Sequence, residues 1–211
     1  SAGDLRAKYD ALLAAETAAD DPEWLRLYHG ACERRRLARL RPDLDQIRSV
    51  VFTKHCMFGG SHYAYTENLT DTQYVEGTRT NTDYRMGAAL CLLEVHDDGT
   101  TSYRTLLESP NGILRDPDVS YDGQRVLFAM RHSADQDDFH LYEMTIESGM
   151  IRQLTFGEGL ADYEGQYLPH GDIIFSSTRP VQIVDCWWTE VSNLYTCDAD
   201  GHHLRRLSFD Q

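Results

Sequence analysis

The residues that could do chemistry in this sequence are histidines, cysteines and carboxylates in three variable loops. The loops span residues 54–66, 131–139 and 179–192, and they hold His55, Cys56 and His62, then His132, Asp135, Asp137 and Asp138, then Asp185 and Cys186. Zinc accepts imidazole, thiolate and carboxylate ligands in tetrahedral geometry. His62 and Cys186, together with an acidic residue such as Asp116, are therefore a candidate zinc site.

Each of these candidate ligands also has a simpler interpretation. In the alternative that we favour, Cys186 packs beside Trp187 and Trp188, and His62 is a structural histidine. The ligands do not have the tight sequence spacing of a zinc finger. The acidic loop around Asp137 lacks the glycine and the distal glutamate of an EF-hand, so we expect a solvated loop there.

Other kinds of catalytic or cofactor motif are missing from the sequence. There is no GxSxG nucleophile motif and no glycine loop of the kind that cradles phosphates. None of the five cysteines belongs to a CxxCH sequence, so this chain carries no covalent c-type haem. We expect Cys197 to be a small buried apolar residue, because it aligns with Met144 in the repeat described below.

Charge and hydropathy exclude two further classes of function. The 211 residues carry a formal net charge of -14 at pH 7, which repels a nucleic-acid backbone. No apolar run approaches the roughly 20 residues of a membrane helix. The acidity is uneven, because residues 1–47 hold 8 basic and 9 acidic side chains, against 12 and 25 in the remainder. The two regions are therefore built differently.

The first region predicts two helices. An Ala-rich segment over 4–19 places Leu5, Tyr9 and Leu12 on one helical face. A second helix starts where Asp21 can act as N-cap and Pro22 occupies the first helical position, and it should run to about Leu40. We expect residues 1–45 to form this helical segment.

A repeat organises residues 46–211. Residues 141–156 match residues 194–209 without a gap, at an offset of 53 residues, and a looser copy begins at Leu92. A second repeated element pairs Val126-Leu127-Phe128 with Ile173-Ile174-Phe175. Each unit reads as four strands joined by turns, which is the pattern of a β-propeller blade. The prediction is a mainly β chain, an incomplete β-propeller of four-stranded antiparallel blades preceded by two N-terminal α-helices.

Residues 46–211 suffice for about three and a half to four blades, and the last recognisable strand ends near Phe209. We therefore expect a partial propeller whose chain ends at a blade boundary, with open sheet edges available for self-association. Antiparallel strands alternate direction, so the variable loops and the blade-to-blade links should share one rim. The links would add Asp116, Asp118, Asp162 and Glu164 to that rim.

Short segments of the sequence resemble two known protein families. The strings IRQLT at 151–155 and DADG at 198–201 resemble the TolB-type branch of WD-like propeller repeats. The strings SHY at 61–63, DPDVSYDG at 116–123 and YLPHGDIIFSSTR at 167–179, with Cys186 after them, resemble the propeller region of hydrazine synthase alpha-subunit-like proteins. The second resemblance covers roughly residues 46–211.

These resemblances imply a propeller domain within a larger periplasmic or secreted protein, with protein partners or further domains of a longer parent chain. They also favour Cys186 as a ligand, because that family has a cysteine at this place. We expect a non-catalytic scaffold or binding module, since the haems for hydrazine chemistry would come from elsewhere. The alternative is a metal-dependent enzyme fragment with Asp116 or Glu164 as its base.

Overall fold

The computed structural model describes residues 2–44, 46–55, 87–96, 99–133, 138–182 and 191–209. The chain divides into two compact units, one formed by residues 1–49 and 94–102, and the other by residues 50–93 and 103–211. Among the described residues, no helix has both the length and the apolar character needed to cross a membrane.

The first unit contains helices α1 (Ala2–Ala14) and α2 (Pro22–Leu44). Helix α2 begins at Pro22 as the sequence predicts, because the Asp21 carboxylate accepts the N–H of Glu23 at 2.8 Å. Helix α1 ends five residues earlier than residue 19. Glu16 adopts a φ of 50°, and the N–H of Thr17 bonds back to the carbonyl of Leu12, which is a Schellman-type termination.

Eleven strands in the described residues form three sheets. The strands are β1 (Ser49–His55), β2 (Ala88–Val95), β3 (Thr101–Ser109), β4 (Ile113–Val119), β5 (Arg125–Arg131), β6 (His140–Thr145), β7 (Ile151–Gln153), β8 (Asp162–Tyr167), β9 (Ile173–Ser177), β10 (Asn193–Cys197) and β11 (Arg205–Arg206). Strands β1 to β3 form a three-stranded sheet in chain order. Strands β4 to β7 form one antiparallel four-stranded sheet, which we call the first blade, and β8 to β11 form the second blade.

The first blade is buried on both of its faces. Along β5, Val126 and Phe128 belong to an apolar cluster with Ala88 and Leu90 of β2. The alternate residue Leu127 belongs to a second cluster, which includes Phe175 of the second blade. Strand side chains alternate between faces, so a strand with two apolar faces needs a neighbouring sheet on each side. This stacking of consecutive four-stranded sheets is the arrangement of propeller blades.

The strand pairing confirms the repeat and fixes which positions correspond. Leu141 of β6 pairs with Ala129, and Leu194 of β10 pairs with Ser176, so Leu141 and Leu194 occupy the same position of the two blades. That is the offset of 53 residues that the sequence predicts. Cys197 is buried as predicted, and burial raises the pKa of its thiol to about 12.

Candidate functional site

The first strand of each blade is interrupted at an acidic residue. The register of β4 against β5 shifts between Arg115 and Asp118, and the register of β8 against β9 shifts between Tyr163 and Gln166. Within these two bulges Asp116 and Glu164 each adopt a φ of 53°. Residues with a side chain are uncommon at positive φ. Its occurrence at corresponding places in both blades makes the bulge a repeated feature that re-aims nearby side chains.

The carboxylates of β4 bind the backbone of β8. Asp116 Oδ2 accepts hydrogen bonds from Arg115 Nε at 2.6 Å and from the N–H of Glu164 at 3.2 Å. Asp118 Oδ2 accepts the N–H of Tyr167 at 2.8 Å. Backbone N–H groups need acceptors, and at these two positions of β8 side chains of the neighbouring blade supply them. Both aspartates thus join the first blade to the second.

A groove of about 560 Å³ opens where the first strands of the two blades meet. Its lining combines the carboxylates with polar and apolar side chains of the second blade: Asp116, Asp118, Glu164, Ser176, Ile174 and Leu194. The Ser176 hydroxyl donates to Glu164 Oε2 at 3.0 Å, and Leu194 is 44% exposed. The groove therefore offers an acidic wall beside an apolar floor, on the face of a sheet rather than in a loop.

The structure corrects the expected position of Asp116, Asp118 and Glu164. They lie in the middle of strands β4 and β8, not in blade-to-blade links at a rim, because each strand extends past its bulge. His62 and Cys186, the two other predicted zinc ligands, lie outside the described residues. Within the described ranges, no three His, Cys, Asp or Glu side chains are arranged to hold a metal ion.

The other loop residues are distributed as follows. His132 Nε2 lies 3.0 Å from the hydroxyl of Tyr142, and Asp138 Oδ2 accepts the N–H of Gly159 at 2.7 Å. His55 ends β1 and is exposed. Cys56, Asp135, Asp137 and Asp185 lie outside the described residues. Asp138 therefore ties its loop to the link between blades, which is a structural contact.

Asp162 is fully buried at the start of β8, within a charged cluster. Arg179 Nη2 lies 2.7 Å from Asp162 Oδ2, the Ser177 hydroxyl donates to Oδ1 at 2.6 Å, and His140 Nδ1 is 3.6 Å away. Burial opposes ionisation of this carboxyl, but His140, Arg179 and Ser177 together outweigh it and lower its pKa. The cluster fastens the start of β8 to the end of β9.

Glu143 forms a second buried cluster that the sequence analysis missed. This carboxylate in β6 accepts the hydroxyl of Tyr167 at 2.8 Å and lies 2.8 Å from Arg152 Nη2. Arg152 also reaches Asp200 Oδ1 at 2.6 Å, in the turn between β10 and β11. Burial and the neighbouring Glu143 raise the pKa of Tyr167. The sequence repeat gives little indication of this cluster, because Glu143 aligns with the neutral Thr196.

The described residues contain stacked four-stranded blades, which is the architecture of a β-propeller. No family model and no curated protein matches the sequence. Parts of the chain are similar to solved structures. TolB from Acinetobacter baumannii aligns at a TM-score of 0.43 and 22% identity, covering 58% of this chain and 27% of that chain.

Two further structures align comparably. A putative TolB from Agrobacterium tumefaciens has a TM-score of 0.41 and 20% identity, covering 57% of this chain and 42% of that chain. A puromycin hydrolase has a TM-score of 0.43 and 19% identity, covering 60% of this chain and 19% of that one. The chain thus spans less than half the length of each. Two of the three carry the TolB name, the family whose repeat the sequence resembles, and none of the three is a hydrazine synthase.

Proposed function

We propose that this chain is a protein-docking propeller module of a larger extracytoplasmic protein of the hydrazine synthase alpha-like kind. The groove between β4 and β8 carries the proposal, because it joins an acidic wall to the exposed Leu194 and the half-buried Ile174 on a sheet face. Exposed apolar surface rimmed by polar groups is typical of sites where proteins bind. The extracytoplasmic setting is supported by the resemblance of residues 46–211 to hydrazine synthase alpha-subunit-like proteins.

The bonding of the groove carboxylates supports docking over metal-dependent catalysis. Asp116 and Asp118 already accept backbone N–H groups of β8, and Asp116 also pairs with the buried Arg115. A general base or metal ligand needs a lone pair directed at the reacting group or ion, and in both carboxylates Oδ2 is already engaged in these bonds. These two carboxylates instead hold β8 in place along the acidic wall and leave Glu164 as the exposed acidic group of the groove.

A peptide selection tests the docking function. A library of random peptides displayed on phage is selected against the purified chain, and bound clones are then measured against Leu194→Asp. We expect enriched peptides to bind at least about tenfold more weakly to this variant, because a buried unpaired charge is costly at an apolar contact.

Leu204→Asp is the matched control for this experiment. Leu204 is 45% exposed, almost the same as Leu194, but it lies in the turn that leads to β11 rather than in the groove. Enriched peptides should bind Leu204→Asp as they bind the unchanged chain. Failure to enrich any peptide family, or equal binding to Leu194→Asp, contradicts docking at this groove.

A further inference from the structure

The contact between the two blades shows what kind of group the carboxylates of a first strand bind. Asp116 and Asp118, two residues apart on β4, accept the N–H groups of Glu164 and Tyr167, three residues apart on β8. The bonds join side chains to backbone, so they depend on the backbone course of the neighbouring strand, including its bulge, and not on its side chains. A bulge in the bound strand separates the two N–H groups.

A glycine allows β8 to approach so closely. Gly165 lies between the two bonded N–H groups, and a Cβ placed there would be 2.9 Å from Leu127 Cδ2 and 3.0 Å from Leu141 Cδ2. Contacts at that distance force the leucine side chains to move. The first blade therefore receives a strand with two N–H donors and, between them, a residue without a side chain.

The second blade carries the same set of positions on its exposed face. The pairing of Asp118 with Leu127 corresponds to the pairing of Gln166 with Ile174. Asp116 corresponds to Glu164, which has the same φ of 53°, and Leu141 corresponds to Leu194. The second blade thus repeats, in the same order, the two polar side chains and the leucine that contact the neighbouring strand in the first blade.

The two copies differ in exposure. Asp116 and Asp118 are half-buried, whereas Glu164 and Gln166 are exposed. Leu141 is fully buried, whereas Leu194 is 44% exposed. Glu164, Gln166, Ile174 and Leu194 all line the same groove. Strand β8 itself is engaged against the first blade, so it does not fill this groove in its own chain.

We propose that this groove binds an extended strand of a partner protein, with glycine between two backbone N–H donors that Glu164 and Gln166 accept. This inference rests on the docking function proposed above and names the partner's chemistry. Peptides that add to an existing sheet gain affinity from main-chain hydrogen bonds and specificity from the seats of single side chains. Here the acceptors are side chains, and the contact surface formed by Ile174 and Leu194 favours glycine.

The probe is a capped, fluorescein-labelled peptide with the sequence of residues 161–168, carrying Asp162→Asn and Glu164→Gln to remove like charge. Its binding to the chain is measured by fluorescence anisotropy. We expect saturable binding below about 1 mM. Gly165→Val in the peptide, or N-methylation of its Tyr167, should each weaken binding at least about tenfold. The valine side chain would meet Ile174 and Leu194, and the methyl group removes the N–H that the neutral amide oxygen of Gln166 accepts.

Matched controls isolate these contacts. N-methylation of Leu168 in the peptide, which lies beyond the bonded N–H groups, should leave affinity within about twofold. In the protein, Gln166→Ala should weaken binding of the parent peptide and Leu204→Asp should not. Equal affinity of the parent, Gly165→Val and Tyr167-methylated peptides, or no binding of the parent at about 1 mM, overturns the strand proposal. If the strand proposal fails in this way, phage-selected peptides whose binding depends on Leu194 would still support protein docking at the groove. If no such peptides are found either, the docking function and the strand proposal are both contradicted.

Discussion

The two four-stranded blades have corresponding strands and turns but different surroundings. The first blade is covered on one side by Ala88 and Leu90 of β2 and on the other by the second blade. The second blade is packed on one face only among the described residues. Leu141 and Leu194 thus share a position in the repeat while one is fully buried and the other 44% exposed. The repeat determines the sheet, and the neighbouring sheet determines what each position contributes to stability.

The acceptors of the first strands show the same difference. Asp118 has a backbone partner in the next strand, while Gln166, at the corresponding place, is exposed. A polar side chain in one blade is therefore structural, and its counterpart in the other blade is available for binding. Variants at paired positions can separate the two roles.

A large effect on stability is expected from truncating the paired leucines. Leu141→Ala should lower the free energy of unfolding by about 3 kcal/mol, because it leaves a cavity between the blades. Leu194→Ala should lower it by less than about 1 kcal/mol, because the side chain is already half in solvent. Urea unfolding of both variants measures the difference. Equal losses would show that the second blade is covered as fully as the first.

A glycine pair tests the contact between the blades. A Cβ at Gly201 would collide with the carbonyl oxygen of Leu154, and the residue has a φ of +79°. Gly123 has a similar φ of +71° with open space around its Cβ position. We expect Gly123→Ala to cost about 1 kcal/mol for its backbone conformation alone, and Gly201→Ala to cost at least about 2 kcal/mol more. Chemical unfolding measures both, and similar losses would argue against tight packing of this turn on the first blade.

Replacing the paired acceptors should give a smaller difference. Asp118→Ala leaves the N–H of Tyr167 without its acceptor and should cost about 1 to 2 kcal/mol. Gln166→Ala should change the free energy of unfolding by less than about 0.5 kcal/mol. Asp118→Asn, which keeps an oxygen acceptor, should recover part of the loss. A large loss in Gln166→Ala would mean that this side chain is structural too.

The pH dependence of stability should reflect Asp162, whose counterpart in the first blade is the apolar Leu114. The pKa of Asp162 is lowered in the folded protein, so its contribution is fully present above the unfolded pKa near 4. That contribution is lost as the pH falls through the lower, folded pKa. Asp162→Asn should therefore flatten the fall in stability below about pH 4. An unchanged acid limb in thermal unfolding would place the dependence on other carboxyls.

The smallest expected effect concerns metal. Asp116 is engaged by Arg115 and by the N–H of Glu164, so Asp116→Asn should leave the metal content of the purified chain unchanged. Inductively coupled plasma mass spectrometry on protein prepared without chelators measures this, alongside His62→Ala and Cys186→Ala. Zinc that is lost in all three variants would instead support the predicted zinc site and the alternative of a metal-dependent enzyme.

The sequence predicted the elements whose signals are local or periodic. Pro22 and Asp21 marked the start of α2 correctly, and the matching of residues 141–156 with 194–209 gave the correspondence of Leu141 and Leu194 that the pairing confirms. Cys197 was correctly predicted to be buried because it shares a repeat position with Met144.

The site was less predictable because its determinants are not local. Nothing in the sequence marks a positive φ at Asp116 or Glu164, since neither is a glycine, and the bulges depend on pairing with the next strand. The sequence pattern therefore predicts blade-to-blade links where the structure has strands β4 and β8. The buried cluster around Glu143 is not predictable from local sequence, because two of its members come from the other blade. Tyr167 donates to Glu143, and Asp200 pairs with Arg152.

The Glu143 cluster has a consequence for how the molecule opens. Stacked repeats are often described as a linear array in which each unit contributes its own stability and a coupling to its neighbour. Glu143 is buried in one blade and accepts the hydroxyl of Tyr167 from the next, so separating the blades breaks this hydrogen bond as well as the apolar contacts. The coupling here is therefore electrostatic as well as apolar, and fluctuations that expose β6 should appear in hydrogen exchange together with those that expose β8.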